Sequence, residues 1–112
     1  MTTERGTTNV KAPPHLSPDA RDLWRTVLAG WDLDAASLVV LRSACEALAR
    51  VEEARRLLKR EGIVLRDHHG RRVAHPAVVI ERDARLQFLR AWRQLGLDLE
   101  PPGQVGRPAG RS

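Results

Sequence analysis

Apolar and polar positions alternate along the chain with three helical periods and one short interruption. Ser17 is a good helix N-cap, Pro18 suits a first turn, and Asp19 favours the positive helix end. Ala20, Leu23, Trp24, Val27, Leu28 and Trp31 then recur at amphipathic spacing until Gly30 and the Trp31-Asp32-Leu33 segment close the helix. Asp34 caps a second helix that runs to Glu61 and stops at Gly62. Its interior lacks Gly and Pro, and Glu46/Arg50 and Glu52/Arg56 stand four apart in the favourable order. At about 1.5 Å per residue it forms a rod roughly 40 Å long. Leu38, Leu41, Cys45 and Leu48 make one apolar line on it, and Val40, Ala44, Ala47, Val51, Ala54 and Leu58 a second. Two lines predict a helix that packs on its own chain and on a neighbouring copy. The alternative is one broad core face.

The period changes after Gly62. Ile63-Val64-Leu65-Arg66 and Arg71-Arg72-Val73-Ala74 are short β-prone runs around the polar turn Asp67-His68-His69-Gly70, which predicts a hairpin. A lone hairpin is marginal in water, so it must pack on a helix or pair with another chain. His75-Pro76 opens a last helix that reaches Leu95 and stops at Gly96. Ala77, Ile80, Ala84, Phe88, Ala91 and Leu95 share one stripe. Val78, Leu89 and Trp92 form a second patch beside Arg82, Arg85 and Arg93. The predicted fold is mainly α: three helices with a short β-hairpin between the second and third. Residues 1–16 read as a disordered arm, 17–96 as the helical domain, and 97–112 as a disordered Pro/Gly-rich tail. Candidate oligomer-interface positions are Leu41, Leu48, Val51, Leu58, Val78, Leu89 and Trp92.

Charge sharpens this picture. The 112-residue chain carries a net charge of +5, and its only lysines are Lys11 and Lys59. Arginine's planar five-donor fork suits phosphates and guanine edges, so the balance points to a polyanionic partner. Helix two is nearly neutral. Residues 62–96 hold seven arginines (66, 71, 72, 82, 85, 90 and 93) against Asp67, Glu81 and Asp83, and so contain four of the five net charges. A hairpin with Arg66, Arg71 and Arg72, next to a helix with Arg82 and Arg85, is a candidate phosphate grip on double-stranded DNA. For any one arginine the simpler reading is a solvated charge; the group carries the inference.

Chemistry for catalysis is lacking. His68, His69 and His75 lie near Asp67, but adjacent histidines in a turn point apart and no further cluster completes a metal site. Cys45 falls on an apolar helix line without a nearby histidine. No phosphate-cradling Gly-rich loop with its lysine is present, and Glu52 and Glu53 are consecutive on a helix, so they cannot face one another. No cofactor and no metal are expected. A single cysteine cannot form an internal disulfide, the first residues are polar, and no apolar run approaches the roughly 20 residues of a membrane span. These features fit a protein without membrane contact in a reducing compartment.

The order of elements resembles the small terminase subunit family of tailed phages. The resemblance runs from Ala12 to about Leu97. It rests on Ala12-Pro13-Pro14-His15-Leu16-Ser17 leading into a helix with Trp24, on Ala44-Cys45-Glu46 within the long helix, and on Gly62 with the hairpin and Gly70. His75-Pro76 and Leu95-Gly96-Leu97 complete it. The resemblance implies a non-catalytic, ring-forming homo-oligomer in the cytoplasm of an infected or lysogenic bacterial host. It implies binding of viral DNA, and recruitment or regulation of a large subunit that carries ATPase and nuclease. Members often engage that large subunit through C-terminal segments, and the segment after Leu97 is short here. The family's motifs are structural: Gly62 stops a helix, Pro76 starts one, and His75 suits a cap. A different reading makes helices one and two a helix-turn-helix of a small DNA-binding regulator, and a third makes the chain a pure protein-interaction module.

Overall fold

The computed structural model describes residues 10–97. Helix α1 spans Pro18–Gly30, α2 Ala35–Glu61 and α3 Ala77–Leu95, and strands β1 (Val64–Arg66) and β2 (Arg72–Ala74) lie between α2 and α3. The predicted order of elements holds. Both strands are shorter than the β-prone runs, because Ile63 and Arg71 fall outside the ladder.

Local chemistry sets the boundaries. The Ser17 hydroxyl accepts the Ala20 amide at 3.2 Å, and it also donates to Glu52 on α2. One side chain therefore starts α1 and fixes it to the middle of α2. Asp34 accepts the Ser37 amide at 2.8 Å and starts α2. Its carboxyl is held below the ordinary aspartate value, first by that backbone hydrogen bond. Lys59 and Arg60 occupy the last turn of α2, where cations favour the helix dipole. Gly62 stops the helix with φ 84° and ψ 159°, a backbone region that side-chain-bearing residues avoid.

The two apolar lines of α2 have separate partners in the same chain. Leu41 and Cys45 join Leu16, Ala20, Trp24, Val27 and Leu28 in a core under α1. Ala44, Ala47, Val51 and Ala54 are buried on the side that meets α3, where Ala77 and Ala84 are also buried. These small side chains bring the two helices close together. Arg50 reaches Gln87 at 2.9 Å, and Arg55 reaches Glu81 at 3.0 Å, which sets α3 antiparallel to α2. The width of the apolar surface on α2 thus comes from two neighbours within the protomer. It does not call for another copy.

The arm expected over residues 1–16 is packed over its last part. Trp24 Nε1 donates to the Val10 carbonyl at 3.2 Å, Leu16 is buried, and Ala12 packs on the same core. Leu97 packs there too, so the folded unit exceeds 17–96 at both ends. The rest of the expected arm and tail, residues 1–9 and 98–112, lies outside the described residues. No helix of the described residues is long and apolar enough to cross a membrane.

Candidate nucleic-acid interface

The hairpin pairs Val64 with Ala74, Leu65 with Val73, and Arg66 with Arg72 in antiparallel register. Directly opposed residues share a face, so Arg66 and Arg72 stand side by side, with Val64 and Ala74 behind them. The tip is organised by one residue. Asp67 Oδ1 accepts the amides of His69 and Arg71, each at 2.9 Å, and Oδ2 accepts Arg71 Nε at 3.1 Å. The Gly70 amide closes the turn on the Asp67 carbonyl at 2.9 Å, and Gly70 itself takes φ 81°. Asp67 is held below the ordinary aspartate value, chiefly by the Arg71 backbone hydrogen bond.

These contacts separate the predicted arginines. Arg71 is tied to Asp67, and the Arg66 guanidinium folds onto the Gly70 carbonyl at 2.7 Å. Arg72 has no side-chain hydrogen bond or ion pair among the described residues. On α3, Arg82 pairs with Asp83 at 3.5 Å, and Arg85 with Glu81 at 3.4 Å. Glu81 also holds Arg55, so one largely covered carboxylate serves two arginines. The hairpin arginines form one group and Arg82 with Arg85 another; no hydrogen bond or ion pair among the described residues joins them. Arg90 and Arg93, grouped with the charge excess but not chosen as contacts, are exposed and have no side-chain hydrogen bond or ion pair among the described residues. The four-residue spacings of Asp67/Arg71 and Glu81/Arg85 were the sequence signal for which arginines are spent internally.

The candidate interface residues also divide. Leu41 and Val51 are buried in the protomer. Leu48, Leu58, Val78 and Trp92 are half-buried, Trp92 stacking on Phe88 with centroids 5.9 Å apart. Leu89 is exposed, as are Val79 and Leu86 on α3 and Ile63, Val64 and Val73 on the hairpin. Val79 and Leu86 stand seven residues apart, so they share a face of α3 turned from the buried Ala77 and Ala84.

His75 leaves its predicted neighbours. It is buried, its Nδ1 accepts the Ala77 amide at 3.0 Å, and its Nε2 lies 2.8 Å from Glu61 Oε1. His68 and His69 are exposed at the hairpin tip and, contrary to the expectation that they point apart, their ring centroids lie 3.9 Å from each other. Among the described residues no group of three potential ligands is arranged for a metal. Cys45 is fully buried, and desolvation, with a smaller contribution from Glu46, pushes its thiol up to about 12. Glu52 is engaged by Ser17.

No curated protein and no solved structure matches the chain. A family model described as phage terminase, small subunit, matches residues 20–109, which takes in α1 from Ala20 onward, α2, the hairpin and α3. The chain therefore belongs to the phage terminase small-subunit family, whose work is phage DNA packaging.

Proposed function

We propose that this chain is the non-catalytic, DNA-engaging part of a packaging motor. Copies assemble into a homo-oligomeric ring in the cytoplasm of an infected or lysogenic bacterial host. The ring binds double-stranded viral DNA and recruits or regulates the large subunit. The observation that carries the reading is the arginine excess of residues 62–96, with Arg72, Arg90 and Arg93 left without ion pairs among the described residues. Repetition around a ring multiplies each weak phosphate contact. The apolar positions left exposed on α3, Leu89 among them, supply surface for a neighbouring copy.

Fluorescence anisotropy with a labelled duplex tests this across salt concentrations. Affinity should fall linearly on a log–log salt plot, with a slope of about −0.9 for each phosphate neutralised. Replacing Arg66, Arg71 and Arg72 together by Ala should flatten the slope. Unchanged binding would remove the hairpin from the interface. Light scattering should give a mass well above a dimer, and a monomer at micromolar concentration would end the ring reading.

The helix-turn-helix alternative has little physical support. The amino end of α2, which would enter the groove, carries the exposed carboxylate of Asp34, followed by Ala35 and Ala36. A negative charge there repels phosphates, and the alanines offer no hydrogen bond to a base.

A further inference from the structure

We propose that the β1–β2 hairpin enters the DNA major groove as a preformed two-stranded arm, in which Arg72 makes the free contact and Asp67 acts as a positioning residue for the tip. This rests on the DNA-binding reading above and assigns its geometry.

The dimensions fit. Paired strands lie about 4.8 Å apart, and a major groove about 12 Å wide admits such a ribbon. Each strand has three residues. At about 3.3 Å per residue the arm reaches roughly 10 Å, comparable with a groove depth of about 8.5 Å. Only Leu65 and Asp67 are half-buried between Ile63 and Ala74; the other residues are exposed. The arm is therefore held mainly by its own hydrogen bonds. Its tip is ordered before any ligand arrives, so that cost is not charged to binding.

The bonding also sorts the side chains by role. Arg72 lies opposite Arg66, on the same face, and its guanidinium has no partner among the described residues. It can take a guanine O6/N7 edge in bidentate fashion. Arg71 is partly neutralised by Asp67 and is withheld from the ligand. The two oxygens of Asp67 do different work: Oδ1 shapes the backbone, and Oδ2 restrains Arg71. Asparagine can keep the first task and drop the second, whereas alanine drops both.

The test uses the full chain, a labelled guanine-containing duplex, and the variants Arg72→Ala, Arg71→Ala, Asp67→Asn and Asp67→Ala. Circular dichroism checks that each variant keeps its helices. Arg72→Ala should lose about ten-fold or more in affinity, and Arg71→Ala less than about three-fold. Asp67→Asn should bind more tightly with a steeper salt slope, because the turn persists and Arg71 is released. Asp67→Ala should bind more weakly, although it too removes a negative charge. Dimethyl sulfate should show guanine N7 protection with the wild type and its loss with Arg72→Ala. Equal tightening by both Asp67 variants would overturn the positioning role, because charge alone would explain it. Protection confined to adenine N3 would overturn the major-groove assignment. Wild-type binding untouched by any hairpin variant would sink this inference and leave DNA binding standing elsewhere. A wild type that binds no duplex at low salt would sink both.

Discussion

His75 and Glu61 face each other across the base of the hairpin, Nε2 to Oε1 at 2.8 Å, while the other ring nitrogen of His75 accepts the first amide of α3. An Nδ1 that accepts fixes the proton on Nε2, which donates to the carboxylate. The His75 amide also donates to the Ile63 carbonyl at 2.8 Å. One residue thus joins the end of α2, the root of β1 and the start of α3.

Replacing His75 by Ala should cost about 2–3 kcal/mol, from a lost helix cap and a lost hydrogen bond to a charged group. Glu61→Ala removes one of these and should cost about half as much. In a urea double-mutant cycle the two should be non-additive by about 1 kcal/mol. Additive losses would show that the pair does not act as a unit.

Two leucines of the candidate interface should behave in opposite ways. Leu41→Ala opens a cavity in the protomer core and should destabilise it by about 2.7–5 kcal/mol. Leu89 is exposed on α3, so Leu89→Ser should leave protomer stability within about 0.5 kcal/mol and lower the oligomer mass in sedimentation. A core-sized stability loss at Leu89 would contradict its exposed placement.

The hairpin tip should loosen in acid. The folded value of Asp67 lies below 3.8, so its contribution is present above 3.8 and is lost as pH falls through the lowered folded value. Carboxylate NMR titration should find Asp67 below 3.8, and the amide shifts of His69 and Arg71 should follow that titration. Titration at the ordinary value would remove its preference for the bonded turn.

Cys45 should be silent in the native protein. Its thiol, raised from 9.0 to about 12, stays protonated, so a disulfide reagent at pH 8 should react much faster in denaturant. A raised folded value adds stability below 9.0 that is lost as pH climbs from 9.0 toward about 12. Cys45→Ala should therefore flatten the alkaline side of the stability curve.

Helix boundaries were legible because their signals are local. Ser17, Asp34, Gly62 and Gly96 act within a turn of where they stand. The owner of an apolar line was not legible. Leu41 and Val51 look alike in sequence to surface that a second copy covers, and only the placement of α1 and α3 shows that they are used at home. Arginine count marked residues 62–96 as the basic segment. Availability depends on Asp67 and Glu81, whose choice of partner is a matter of turn and helix geometry. Ordered packing of residues 10–16 was missed because prolines and polar residues hide the single anchors Leu16 and the Val10 carbonyl.

The unbroken length of α2 keeps two ends of the molecule apart. Its 27 residues span about 40 Å, with the hairpin at the far pole. Because α3 runs back along α2, Leu97 returns to the near pole and packs on the α1 core. Leu97, the last described residue, thus stands at the pole opposite the hairpin tip. Arg90 and Arg93 lie on the last turns of α3, near Leu97, so a duplex that touched them as well as Arg72 would have to run along the whole rod, whereas one gripped by the hairpin alone would leave the opposite pole clear.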